Sequence, residues 1–214
     1  PKADAVEKLA FKKAFQLFNK PSFKILVIAS LAISIVHQIY FIQAGPFLSH
    51  IGLKDSQIGP AMTIGQFAEI ITMIFLGYFL KNLGFRKVIT IGTVAYFARY
   101  AVFGTESLPV WLIVVSQALH GICFAFFFAA AFMYVDRITD KDIRHSAQTV
   151  FGIIILGGGP VIGGWLSGFL QEYYTANGVF NFSNFWYTIA GLSILTTLFF
   201  YLLFKDELSE GNSG

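Results

Sequence analysis

The sequence between residues 25 and 53 reads ILVIASLAISIVHQIYFIQAGPFLSHIGL and contains no Lys, Arg, Asp or Glu over 29 positions. About 20 apolar residues are enough for one helix to cross the hydrocarbon core of a bilayer. Three more charge-free runs cover residues 107–135, 145–171 and 173–204. Residues 56–80 and 88–105 are apolar with one charge each, Glu69 and Arg99. The sequence therefore predicts an all-α membrane protein.

The composition of the 214 residues supports this class, with 56% hydrophobic, 17% aromatic and 13% charged residues. The charged share is about half that of an ordinary soluble domain, which leaves too little charge to cover a water-facing surface. A soluble or disordered chain is therefore disfavoured. The net charge of +3 is too small to indicate a nucleic-acid partner. The single cysteine, Cys123, excludes an intrachain disulfide, and we expect neither a cofactor nor a bound metal.

We predict six transmembrane helices, near residues 23–47, 57–81, 87–104, 109–134, 146–170 and 184–204. Turn-forming residues such as Gly52, Gly84 and Pro109 lie between them. With six spans, both chain ends are on one side, and that side holds 13 of the 15 Lys and Arg residues. The loops on the opposite side hold only Lys54. Because cytoplasmic loops carry an excess of Lys and Arg, both termini are predicted to be cytoplasmic.

The pattern divides the chain into three segments. Residues 1–22 are predicted to form a cytoplasmic amphipathic linker, because apolar residues recur there at helical spacing with lysines elsewhere on the helix. Such a helix is typical of one lying on the bilayer surface. Residues 23–204 form the six-helix transmembrane bundle, and the polar residues 205–214 form a loose cytoplasmic tail.

Three ionisable residues fall inside predicted spans: Glu69, Arg99 and His120. An ionisable side chain at the bilayer centre costs roughly 2.5–3.5 kcal/mol to insert, so such residues usually face a cavity or a partner. Glu69 shares a polar stripe with Gln66, and its setting suits it to take up and release a proton. An ion pair between Glu69 and Arg99 is the structural alternative.

Other candidates for a polar site lie on the first and fourth predicted helices. The amide of Gln38 needs a partner at this depth, and a polar substrate is one option; we favour Gln38 over His37 as the inward-facing group. His120 could relay a proton, bind a substrate or be a satisfied core histidine. Phe124, one turn later, could stack on a planar ring, although packing is the commoner role of a Phe.

Two motifs resemble those of the major facilitator superfamily. Residues 77–87 read GYFLKNLGFRK, similar to the superfamily's G-x-x-x-(D/R)-x-x-G-x-R-(K/R) loop, although Lys81 replaces its acidic or Arg residue. Residues 159–164 read GPVIGG, which resembles its G-P-x-x-G-G helix motif, where small residues let helices approach closely. The resemblance implies one half of this fold: the C-terminal half, preceded by the central loop and an N-terminal six-helix half.

Within the superfamily the chain is most similar to the nucleoside:proton symporters. The similar segments are 15–18 (FQLF), 66–69 (QFAE), 98–103 (ARYAVF), 121–124 (GICF) and 143–148 (IRHSAQ). This resemblance implies proton-coupled nucleoside uptake by alternating access, in a multi-pass protein of a bacterial inner membrane. The nucleoside-binding positions that it implies are Gln38, Gln66, Glu69, His120 and Phe124. We assign proton coupling to Glu69 and Arg99. His120 stands where a Tyr is found in a characterised type of the family, and Phe41 and Ala125 stand where polar residues can occur.

Two other functions stay open on the sequence. A sugar:proton symporter of the same superfamily also carries Glu, Arg and His on three successive helices. Those carriers place a second carboxylate one turn after the His, where this chain has Cys123. A six-helix membrane protein without transport activity is the second alternative. We do not expect an enzyme, because no paired-carboxylate, His-x-x-x-His or nucleophile–base signature adjoins a span.

Overall fold

The apolar runs of the sequence form long helices in a computed structural model, which describes residues 12–210. Five helices in this part of the chain are long and apolar enough to cross a membrane. They are α1 (Pro21–His50), α2 (Asp55–Gly104), α3 (Val110–Ile138), α4 (Arg144–Tyr173) and α5 (Phe182–Leu203). Every predicted span falls within one of these helices to within one residue, so the helical architecture is confirmed.

The longest helix, α2, consists of two arms that meet at Gly84. This glycine has φ 76° and ψ 168°, a conformation outside the helical region that residues with a side chain rarely adopt. A straight helix of 50 residues would be about 75 Å long, more than twice the thickness of the hydrocarbon core. Instead, Gly65 of the first arm and Arg99 of the second both contact His120. The two arms, residues 55–83 and 85–104, therefore run back alongside each other.

Both α3 and α4 depart from regular helix near their middles. A π-helical turn covers Phe124–Ala129 in α3, and a second covers Ile153–Gly158 in α4. Such turns rotate the side chains that follow them and occur frequently at functional sites. Here the two turns contribute Phe124, Phe128 and Leu156 to the wall of one cavity.

Two glycines of the 159–164 motif bring α1 and α4 into close contact. A Cβ atom at Gly159 would lie 2.5 Å from Ser34 Cβ, and one at Gly163 would lie 2.8 Å from the carbonyl oxygen of Ile35. The Ser34 hydroxyl donates a hydrogen bond of 2.5 Å to the carbonyl oxygen of Ile155. The close helix approach predicted for this motif is confirmed, and it sets the position of Gln38 next to α4.

The chain ends are only partly covered by the structure. Residues 1–11 of the predicted amphipathic linker lie outside the described residues, and a 3₁₀ turn at Gln16–Asn19 precedes α1. The tail does not start as the loose segment that the sequence predicts. Glu207, in the short helix Glu207–Glu210, accepts a hydrogen bond from Ser22 and lies 3.7 Å from Lys20 Nζ. This contact stabilises the first tail residues against the start of α1.

At the opposite end of the bundle, strands β1 (Thr175–Ala176) and β2 (Val179–Phe180) form an antiparallel hairpin between α4 and α5.

The contact between α3 and the first arm of α2 depends on the absence of a side chain at Gly121. A Cβ atom there would overlap the backbone carbonyl of Ala68 and lie 2.6 Å from the backbone nitrogen of Glu69. We expect Gly121→Ala to destabilise the protein by about 1–3 kcal/mol, because backbone atoms cannot move aside as a flexible side chain can. The measurement is the thermal unfolding midpoint of the purified protein in detergent. Gly191→Ala is the matched control, because a Cβ atom at Gly191 would have no neighbour within 4 Å in the described part of the chain. Equal midpoints for the two variants would contradict the packing argument.

Candidate functional site

A cluster of ionisable side chains lies inside the bundle around His120 of α3. Its Nδ1 atom is 2.9 Å from Arg99 Nη1, and its Nε2 atom is 3.9 Å from Glu69 Oε2. His120 is buried, whereas the Glu69 side chain is 27% exposed and so can be reached from outside the bundle. The three residues that the sequence singled out as ionisable groups in the membrane therefore meet at one place.

Arg99 and Glu69 do not form the direct ion pair that was the structural alternative. Among residues 12–208, no carboxylate oxygen lies within 4.0 Å of the Arg99 guanidinium. Instead, His120 lies between the two charges. The reason is positional: Arg99 and Glu69 are on adjacent arms of α2, and α3 inserts His120 from the side.

The buried Arg99 is held by two residues that were not predicted from the sequence as site residues. Its Nη2 atom donates to Gln117 Oε1 at 2.8 Å, and the same oxygen accepts a hydrogen bond from the Tyr40 hydroxyl at 3.2 Å. The guanidinium carbon lies 3.6 Å from the centre of the Tyr40 ring. A fully buried cation is costly unless it is paired and hydrogen-bonded, and the ring face supplies part of the compensation. Gln117 could have been found from its spacing of one turn before His120, whereas the Tyr40 contact depends on how α1 is rotated.

The Arg99 contact sets the proton position on His120. A guanidinium only donates hydrogen bonds, so Nδ1 of His120 must be the acceptor. The ring proton is therefore assigned to Nε2, on the side that faces Glu69. At 3.9 Å the Nε2 and Oε2 atoms are too far apart for a direct hydrogen bond. The arrangement places an N–H donor opposite a carboxylate with a narrow gap between them.

A cavity of about 230 Å³ adjoins this cluster, between α1, α3 and α4. Its wall is mostly apolar and aromatic, with a few polar groups, which is the usual make-up of a small-molecule site. The lining residues are Ser34, His37, Gln38, Phe124, Phe128, Ala129, Phe132, Leu156 and Pro160. Gln38 and Phe124, both predicted from the sequence, are thus brought together.

His37 connects the cavity to the ionisable cluster. Its ring stacks on that of His120, with centroids 5.4 Å apart and planes 10° apart. Its Nδ1 atom is 2.9 Å from the Tyr96 hydroxyl oxygen. From the sequence, Gln38 was favoured over His37 as the inward-facing group, but both residues line the cavity. Consecutive residues can do so because neighbouring positions on a helix are only about 100° apart around its axis.

Gln66 is not among the residues that line the cavity. It lies one turn before Glu69 on the first arm of α2, and it is exposed.

Among the described residues, no group of three or more His, Cys, Asp and Glu side chains is placed to hold a metal ion. A larger groove of about 340 Å³ between α1, α4 and α5 has Thr196 as the one polar side chain among its described lining residues, too few polar groups to orient a polar solute.

The role of the Tyr40 ring beneath Arg99 can be separated from that of its hydroxyl. We expect Tyr40→Phe to lower the free energy of unfolding by about 1 kcal/mol, because one hydrogen bond to Gln117 is lost. Tyr40→Leu also removes the aromatic face, and a desolvated cation–π contact is worth about 2 kcal/mol more. Phe127→Leu, at a fully buried ring that is not placed over a cation, controls for the loss of aromatic volume. The measurement is denaturant or thermal unfolding in detergent, and equal losses for Tyr40→Phe and Tyr40→Leu would exclude the ring contribution.

Comparison with known proteins assigns the chain to a family. The sequence profile of a family described as "Nucleoside H+ symporter" matches residues 1–209. Nucleoside permease NupG of Escherichia coli (strain K12) is 29% identical over 204 residues, which are 90% of this chain and 49% of the permease. The xanthosine permease of the same organism is 28% identical over 204 residues, again 90% of this chain and 49% of that protein. The putative nucleoside transporter YegT of that organism is 28% identical over 207 residues, 92% of this chain and 48% of the relative.

The three-dimensional comparison gives the same result. A crystal structure of the nucleoside transporter NupG matches with a TM-score of 0.81 at 29% identity, over 90% of this chain and 50% of that chain. The chain spans about half the length of the curated relatives that it matches. These relatives are transporters rather than enzymes. Because the family profile matches nearly all of its residues, the chain belongs to the nucleoside H+ symporter family.

Proposed function

We propose that the chain is the C-terminal half of a nucleoside:proton symporter of the major facilitator superfamily. In this proposal the two arms of α2 are separate spans, which makes six, and both chain ends are cytoplasmic. The bend at Gly84 supports this count because it falls within the basic 77–87 loop. Residues 1–22 are then the central loop, residues 23–204 the bundle and residues 205–214 the tail. The partner is an N-terminal six-helix half, and the location is a bacterial inner membrane.

The nucleoside is proposed to occupy the cavity beside the His120 cluster. The observation that carries this assignment is the junction of an aromatic and amide-lined cavity with a chain of ionisable side chains. Gln38 can both donate and accept hydrogen bonds to a polar solute, and Phe124 offers a ring face for stacking on a base. A volume of about 230 Å³ is below the roughly 300–1,000 Å³ of ordinary ligand pockets, which fits a site completed by the other half. Gln66 is exposed and would contact the nucleoside from the first arm of α2.

Proton coupling is assigned to Glu69, with Arg99 acting through His120. Glu69 is partly exposed, so a proton can reach it, while Arg99 is fully buried, and a guanidinium is not deprotonated in proteins. Protonation of Glu69 changes the cluster from one positive and one negative charge to a net positive charge. The ionised carboxylate of Glu69 only accepts hydrogen bonds, whereas the protonated carboxyl group can also donate one. The protonation state of Glu69 can therefore be linked to substrate binding. Alternating access would then follow from rocking of the two halves about this site.

Replacing the carboxylate tests the coupling directly. We expect Glu69→Gln to abolish accumulation of labelled uridine against its gradient, because an amide cannot carry the proton, while the protein still inserts in the membrane. The measurement is protonophore-sensitive uptake by transporter-deficient cells that carry the full-length gene. Glu172→Gln, at an exposed carboxylate at the end of α4, is the matched control and should behave as the wild type. Normal gradient-driven uptake by Glu69→Gln would exclude this role.

Competition separates the nucleoside symporter from the sugar symporter. Uptake of labelled uridine by the wild type should be reduced by excess thymidine or adenosine and unaffected by excess lactose. The reason is that the Phe124 ring can pair with the aromatic ring of a base, whereas a disaccharide has no aromatic ring. Inhibition by lactose, or no uridine uptake by protein shown to be in the membrane, would contradict nucleoside transport.

A further inference from the structure

One ring nitrogen of His37 is bonded behind the cavity wall, and the direction of this bond can be deduced. The Tyr96 hydroxyl is 2.9 Å from His37 Nδ1, and Tyr96 is fully buried. If Nδ1 were the donor, the hydroxyl hydrogen of Tyr96 would need another acceptor, and none is present among residues 12–208. Buried hydroxyl groups are rarely left unpaired. Tyr96 therefore donates, Nδ1 accepts, and the proton of the neutral His37 ring is on Nε2.

The same arm of α2 orients both histidines. Tyr96 and Arg99 are one turn apart, and each donates to the Nδ1 atom of one of the two stacked rings. Both rings consequently carry their proton on Nε2. The Nε2–H group of His120 faces Glu69. The Nε2–H group of His37 has no acceptor in the described part of the chain, although His37 lines the cavity.

The His37 ring is held rigidly in this position. Besides stacking on His120, it packs against the rings of Phe41 at 5.0 Å, Phe128 at 5.1 Å and Phe124 at 6.2 Å between centroids. A donor that is fixed by packing and by a bond to its other nitrogen loses little freedom when it binds a ligand. Because the surroundings of the His37 Nε2–H group are mostly apolar, a neutral acceptor on a bound solute would complete its hydrogen bonding.

We propose that His37 recognises the base of the nucleoside, donating a hydrogen bond from Nε2 to a carbonyl oxygen of the base, with Tyr96 as the positioning residue. This inference rests on the proposed function. The base rather than the ribose is assigned to His37 because the aromatic rings that can stack on a base surround it. Bases with a ring carbonyl, such as uracil and hypoxanthine, fit this donor. Adenine carries an amino group where hypoxanthine carries its carbonyl oxygen, so inosine should be preferred to adenosine.

Inosine and adenosine form a matched pair of substrates for the test. Their uptake by transporter-deficient cells is measured as KM and maximal rate, with the full-length protein quantified in the membrane. We expect His37→Leu to raise KM for inosine about tenfold, the effect of losing one good hydrogen bond, with little change for adenosine. His37→Gln retains an N–H donor and should restore part of the preference. Tyr96→Phe should raise KM for inosine by a smaller factor, because the ring proton is no longer directed to Nε2.

The outcomes separate this inference from the proposed function. His145→Leu, at an exposed histidine at the start of α4, controls for loss of an imidazole outside the cavity and should leave the KM ratio unchanged. An equal rise in KM for both nucleosides, or a fall in maximal rate alone, would overturn the inference while leaving nucleoside transport intact. An unchanged KM ratio in Tyr96→Phe would overturn the positioning role. Failure of the wild type to take up either nucleoside would overturn the proposed function, and this inference with it.

Discussion

The burial of the Arg99 charge, which has no adjacent carboxylate among residues 12–208, is the constraint on which the interior of this bundle depends. A guanidinium in an apolar interior must direct its donors to acceptors, because an unpaired charge there is too costly to keep. Gln117 and His120 of α3 supply those acceptors, and the ring of Tyr40 from α1 covers the cation. Three segments, α1, the second arm of α2 and α3, are thereby held in one arrangement. Replacing any of these three residues would remove an acceptor or the ring face from the guanidinium.

The polar groups of the interior form a connected chain rather than separate pairs. From Tyr40 the hydrogen bonds lead through Gln117 to Arg99 and on to His120, which faces Glu69 at the edge of the bundle. His37 and Tyr96 join this chain through the stacked histidine rings. Because each histidine has one nitrogen bound to a buried donor, the tautomers are set by the fold. A change of charge at Glu69 therefore occurs next to the His120 ring, whose orientation cannot easily adapt. In the proposed function, this rigidity links the proton on Glu69 to the binding of a neighbouring solute.

Close helix contacts bring these groups together. Gly121 lets α3 touch the backbone of the first arm of α2 beside Glu69, and Gly159 and Gly163 let α4 approach α1 beside Gln38. In a bilayer, helices associate through such close packing, because lipid is as apolar as the side chains it would replace. The π-helical turns of α3 and α4 then direct Phe124, Phe128 and Leu156 toward the same cavity. The backbone geometry at a few small residues thus determines which side chains share a site.

The sequence by itself determined the helices and the chain reversals, because a charge-free run of sufficient length and a glycine between two such runs are local properties. It also identified Glu69, Arg99 and His120, since an ionisable residue in an apolar run is conspicuous without any tertiary information. Only the tertiary structure decided how they pair. The α1 helix is apolar nearly all round, so its pattern does not indicate which side faces inward. The contacts of Tyr40, His37 and Tyr96, and the placing of His120 between Glu69 and Arg99, follow from helix rotation and from neighbours far apart in the chain. Those are properties of packing, which no stretch of sequence contains.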